Sequence, residues 1–193
     1  MAFPTIPTGG RVVTGVQTGT SPTRTFPSLT GLTKNNGDLL IAIVIGYQTT
    51  GGTPFSTWGA GFTPFFTGQS ATNICLGAAW KISDGTETGT FTVTQAATIT
   101  GDACFILLSI PDGMTPTASN YVSGTSSAAN PGSLNPAGWD VEDTLWVSVA
   151  GGGEDGTAGS FTGVSTTPPT NYTNAVATAI SQDAVGGVNA GVA

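Results

Sequence analysis

An all-β fold, with two antiparallel sheets closing over one core as a β-sandwich or jelly roll, is what this 193-residue sequence predicts. Three observations carry that prediction. Glycine and threonine abound, whereas Glu, Lys, Arg and Gln are scarce and charged residues make up only 8%. Threonine's branched Cβ suits a pleated surface, and Gly and Pro punctuate turns. Apolar runs of strand length recur between turn signals, the pattern of a sandwich. Finally, the second half begins to repeat the first.

Residues 1–10, with Pro4, Pro7, Gly9 and Gly10, predict an extended N-terminal arm. Arg11-Val12-Val13 opens a first strand. Pro27 confines Thr25–Leu29 to an edge or a turn. Lys34-Asn35-Asn36-Gly37-Asp38 is a turn, because Asn and Gly accept positive φ. It launches Leu39–Tyr47, apolar on both faces and so central in a packed sheet. Thr49–Phe66 reads as a long loop carrying Phe55, Trp58, Phe62, Phe65 and Phe66. Ile74–Ile82 is a strand, Asp84-Gly85 a turn, and Thr90–Thr94 an alternating, half-exposed strand. Ala103–Ile110 is apolar on both faces but for Ser109 and ends at Pro111-Asp112-Gly113. Thr144–Ala150 is a further strand. Residues 11–193 thus form one domain, with halves at about 11–113 and 139–193 joined by a Ser/Thr/Pro-rich loop, 114–138.

The repeat sets Gly37–Val44 against Glu142–Val149, each run leading into a glycine-rich loop, Gly51-Gly52 and Gly151-Gly152-Gly153. Phe62-Thr63 then matches Tyr172-Thr173, and Ile74–Lys81 matches Gly186–Ala193. Nothing follows to match Thr90–Thr94 and Ala103–Leu108. The expectation is a pair of Greek-key-type halves, the second lacking its last strands. Those strands would come from a continuation of the chain or from a strand-sharing neighbour, since an open edge or an uncovered apolar patch is a liability.

A chain this long can bury roughly 70% of its unfolded surface, so no staples are required. The net charge of −7 with four basic residues argues against nucleic acid, which needs clustered Lys and Arg. An acidic balance serves solubility. Residues 1–5 lack the basic and apolar regions of a secretory signal. The longest apolar stretch, Leu39–Ile45, is too short to span a bilayer, so no membrane partner is expected. Cys75 and Cys104 fall on opposite strand faces by parity, which predicts free thiols rather than a bridge.

Chemistry finds little purchase. Histidine is absent, which removes the usual base of a nucleophilic triad, and no zinc-ligand spacing occurs. Asp38, Asp84, Glu87, Asp102, Asp140, Glu142, Asp143, Glu154 and Asp155 could in principle pair as glycosidase carboxylates. Nearly all sit at turns or strand starts, where Asp bonds its own backbone. Asp38 and Asp143 hold equivalent repeat positions, which favours architecture for both. Glu154-Asp155, or Asp140 with Glu142 and Asp143, could offer oxygens to calcium, but no spacing matches a calcium loop. No helix or Lys follows the glycine clusters as a phosphate loop requires. No catalytic residue, metal ligand or cofactor is expected. The aromatic run Phe55–Phe66 has two readings: exposed rings stacking on sugars or a partner, or buried rings capping the sandwich. The match of Phe62 to Tyr172 favours capping. Trp58, Trp139 and Tyr47 are the candidate surface-contact residues.

Gly37–Ala42, Gly77–Val93 and Gly138–Trp146 resemble a family of virion proteins of actinobacterial tailed phages, commonly labelled minor tail proteins. The resemblance spans nearly the whole chain, rests on strand and turn motifs, and identifies no catalytic residue. It implies a non-enzymatic structural protein, surface-exposed on the virion and assembled in the host bacterial cytoplasm. Other virion proteins would be its partners, with a homo-oligomer or strand-sharing neighbour in the assembly. Capsid decoration as a cement protein is the alternative. A carbohydrate-binding host-adhesion module, contacting envelope glycans, is a second alternative.

Overall fold

The computed structural model describes residues 10–47, 55–69, 74–95, 101–113, 115–116, 147, 149–154, 177–180 and 187–192. They form β1 (Val12–Gln17), β2 (Thr23–Thr25), β3 (Asn36–Tyr47), β4 (Phe55–Trp58), β5 (Thr63–Gln69), β6 (Ile74–Asp84), β7 (Thr92–Gln95), β8 (Ala103–Ile110), β9 (Val149–Glu154), β10 (Ala177–Ile180) and β11 (Gly187–Val192). The helical geometry among the described residues is one 3-10 turn, Leu29–Gly31, where the Ser28 side chain accepts the Thr30 N–H. The fold is all-β and antiparallel, a β-sandwich.

A five-stranded sheet, ordered β1-β8-β3-β6-β5, is the centre of the molecule. β3 lies between β8 and β6, with Ile43 opposite both Ile106 and Ala78. Side chains alternate across a strand, so each face of this sheet has its own core. On one face Leu40, Ala42, Val44, Ala103, Phe105 and Leu107 meet Phe26, Leu29, Leu32, Phe55, Phe62, Phe91 and Val93. The second group comes from the sheet β2-β7-β4 and its connections. The other face gathers Leu39, Ile41, Ile43, Ile45, Cys104, Ile106, Leu108 and Ile110. Over it lies a third sheet, β10-β11-β9, touching β1, β8, β3 and β6 and adding Val147 and Val149 to that core. The sandwich therefore gains a third layer from the second half of the chain. That layer explains why β3 and β8 are apolar on both faces: each buries both.

The two halves share one feature of strand order. In the first half β6 lies between β3 and β5; in the second β11 lies between β9 and β10. The pairing is not the same in detail. Val44 faces Gly77, so the sequence match places Val149 opposite Asn189, yet Val149 faces Val192, three positions on. Gly151–Gly153, expected as a loop, belong to β9, because β11 offers them a continuous backbone ladder that needs no side chains. Residues 144–146 and 148 of the expected strand lie outside the described residues, as do residues 1–9 of the arm and most of the loop 114–138.

Of the expected loop Thr49–Phe66, residues 49–54 lie outside the described residues and most of the rest is strand. Phe55–Trp58 forms β4 and Thr63–Gln69 forms β5, joined by a tight turn at Gly59–Phe62. β5 tolerates Pro64 because it is an outer strand of the described sheet, and its ladder bulges between Pro64 and Phe66. Asn35–Asp38 is a turn, as expected, but one that starts β3 with a bulge. Gly37 and Asp38 together face only Ser83 between the pairs Asn36/Asp84 and Leu39/Ile82, with Gly37 at φ 92°.

Candidate functional site

Trp58 lies at the end of β4, half-buried and packed on the first core. Its ring is 5.8 Å from that of Phe26, tilted by 43°. The close approach depends on Gly77: a Cβ there would stand 2.8 Å from the Phe55 ring and 3.2 Å from the Trp58 ring. The Trp58 indole N–H is buried with no hydrogen-bond partner among the described residues. The neighbouring rings form a ladder, Phe62 on Phe91 at 4.6 Å and Phe91 on Phe26 at 4.4 Å, both stacked, with Phe105 tilted against Phe26 at 4.8 Å. Phe55 and Phe62 are buried and Phe65 and Phe66 half-buried, so these aromatics sit inside the layers. Tyr47 ends β3, half-buried against the second core on the opposite face of the central sheet. Trp139 lies outside the described residues. The structure therefore does not bring Trp58 and Tyr47 together.

Several of the described ionisable groups are spent on local architecture. Arg11 donates to Asp38 at 2.5 Å and to the Ser109 hydroxyl at 3.1 Å, tying the start of β1 to β3 and β8. The Asp38 carboxylate also accepts the Asn35 N–H at 2.7 Å, closing the bulged turn. Burial pushes the Asp38 acid upward, but the hydrogen bonds and the Arg11 charge win and hold it below the usual carboxylate range. Glu87 behaves alike: burial raises it, while the Asp84 N–H at 3.0 Å, the Ser83 hydroxyl at 2.8 Å and Lys81 at 3.2 Å bring it down. Asp84, fully exposed, accepts from the Thr86 hydroxyl and N–H at 2.7 and 2.8 Å, which lowers its acid too. Asp38, Asp84 and Glu87 thus each organise a turn, while Asp140, Glu142, Asp143 and Asp155 lie outside the described residues.

One buried polar cluster escaped sequence reasoning. Arg24 of β2 is 0% exposed and donates to the Gly19 carbonyl at 2.9 Å and to the Gly101 carbonyl. Asp102, also 0% exposed, accepts the Gly19 N–H at 3.0 Å and supports the guanidinium charge against its desolvation. Gln95 donates to the Cys75 sulfur at 2.8 Å. Burial pushes the Cys75 thiol up to about 11, against Gln95 and Arg24, so it is protonated at neutral pH and a poor nucleophile. Both cysteines are free and buried, Cys75 in the first core and Cys104 in the second. The cluster clamps the β1–β2 connection to the start of β8. Only the rarity of basic residues hinted at Arg24. Among the described residues no group of three or more His, Cys, Asp or Glu could hold a metal ion.

Compared with known protein families, curated proteins and solved structures, the chain matches none.

Proposed function

We propose that this protein is a non-enzymatic structural component of a tailed-phage virion, exposed on the particle and attached to the tail as a minor tail protein. One observation carries the reading. The described residues of the resemblance, Gly37–Ala42 and Gly77–Val93, coincide with the bulged start of β3, with β6, with the Ser83–Glu87 turn and with β7. These are ladder and turn elements of the scaffold, which suits a family whose shared motifs are strands and turns. A core on both faces of the central sheet suits a particle that must persist outside a cell. Asp38, Asp84, Glu87, Asp102 and Arg24 serve turns and connections, which supports a role in contact and assembly rather than turnover. Glycan recognition draws no support from Trp58 or Tyr47, whose rings are half spent on packing.

Gold-conjugated antibody against the protein, applied to intact particles, tests the reading. Label along or at the end of the tail is the expected result. Label confined to capsid faces would replace the tail assignment with capsid decoration. Particles carrying none of the protein would overturn the structural role.

A further inference from the structure

Asn36-Gly37 is the one Asn-Gly step in the sequence. Both residues are exposed, in the turn that the Asp38 N–H closes on the Asn35 carbonyl at 3.2 Å. The ladder is interrupted there, resuming at Leu39 only after the bulge. Gly37 is at φ 92°, and nothing lies within 4 Å of where a Cβ would stand. The Asn36 carboxamide is held by no hydrogen bond among the described residues, whereas the neighbouring Asp84 carboxylate is fixed by the Thr86 N–H and hydroxyl.

We propose that Asn36 is a site of spontaneous modification, deamidating through a succinimide. The Gly37 amide nitrogen attacks Cγ of Asn36, forming a C–N bond. The Cγ–Nδ2 bond breaks, and ammonia leaves with the proton lost by the attacking nitrogen. Water then opens the ring at either carbonyl, leaving aspartate or isoaspartate at position 36. Water is consumed and ammonia released, with no oxidant, metal or other protein required. Glycine at the next position matters because the peptide must swing out of its turn orientation for the attack, and no side chain obstructs it. Asp84-Gly85, the Asp-Gly step across the ladder, is the internal contrast: its carboxylate is held, and a Cβ at Gly85 would stand 3.0 Å from the Asn36 nitrogen.

The product changes the turn. A carboxylate at 36 faces Asp84 directly across the ladder and stands two residues from Asp38, and like charges in that relation repel. Isoaspartate also inserts a methylene into the backbone at the bulge. The turn that receives both is the one Arg11 ties to β1, so modification there loosens the attachment of the first strand.

The full chain, incubated folded in mildly alkaline buffer, tests this by intact mass and by peptide mapping with enzymatic isoaspartate labelling. The expected result is a gain of one mass unit that maps first to residue 36, as a mixture of aspartate and isoaspartate. It is absent in Asn36→Gln, and Asn36→Asp reproduces at least part of the aged protein's lower melting temperature. A first gain at any other residue would overturn the proposal. So would an unmodified Asn36 in the folded protein over a period in which the same chain in denaturant converts fully.

Discussion

Replacing Phe91 with leucine separates ring stacking from simple burial. Phe91 is 5% exposed and sits between two rings, Phe26 at 4.4 Å with planes 10° apart and Phe62 at 4.6 Å with planes 13° apart. Leucine keeps most of the buried apolar area and loses both stacks. Each aromatic pair contributes about 0.5–1.5 kcal/mol beyond its area, so Phe91→Leu should cost about 1–3 kcal/mol. Phe91→Ala adds a cavity and should cost about 3–5 kcal/mol. Urea unfolding followed by tryptophan fluorescence reads the difference, since Trp58 contacts the same ladder through Phe26. The midpoint should fall with an unchanged slope, the sign that the native state and not the denatured ensemble was altered. A double-mutant cycle with Phe62→Leu isolates one pair and should return a coupling of about 0.5–1.5 kcal/mol. A loss in Phe91→Leu below about 0.5 kcal/mol, with no coupling to Phe62, would refute the idea that stacking adds to burial here.

Ala60 holds φ 55° in the tight turn between β4 and β5, a conformation that costs an L-residue and not glycine, so Ala60→Gly should raise stability by about 1 kcal/mol, read by calorimetry. Asp38 and Glu87 have folded acids below their unfolded values, so their contribution is present above the ordinary carboxylate range and is lost as pH falls through the folded values. Urea midpoints across acidic pH should therefore decline, and Asp38→Asn should be less stable at neutral pH with a flatter acid limb; an unchanged limb would contradict the assignment. Leu39→Asp and Leu107→Asp, which place a charge where 5% and 1% of the residue reaches water, should yield no soluble folded protein, while Thr92→Asp on the exposed face of β7 should melt like the parent.

Strand character was legible wherever the evidence for it was local. Leu39–Ile45 reads as central because it is apolar at every position, and the structure covers both its faces. The parity argument for Cys75 and Cys104 holds because a strand's period of two is fixed by the backbone. What depends on a distant partner was not legible. Asn35–Asp38 is a turn by composition, but only the facing β6 makes it a bulge. β4 is four residues whose ladder is supplied by β7, more than thirty positions on, and its Gly and Pro surroundings read as loop. The Arg24 cluster was invisible because its acceptors are backbone carbonyls, one of them 77 positions away, and a carbonyl leaves no mark in a sequence. The third layer was hidden for a related reason: the repeat indicated a second set of strands without saying which face they would cover.

The central sheet's strand order also sets a sequence in time. β8 is inserted between β1 and β3, so β1 has no partner and β3 only β6 until residues 103–110 have left the ribosome. β3 emerges some sixty residues earlier, apolar on both faces, with only the strands that follow it to shield one edge. Even a finished first half leaves Ile41, Ile43, Ile106 and Leu108 facing outward until β9 to β11 arrive. A growing chain of this topology is most adhesive midway through its own synthesis and sheds that character in two steps, first at β8 and then at the third sheet. Pausing or truncation between residues 47 and 103 would therefore give aggregates rather than a smaller folded protein.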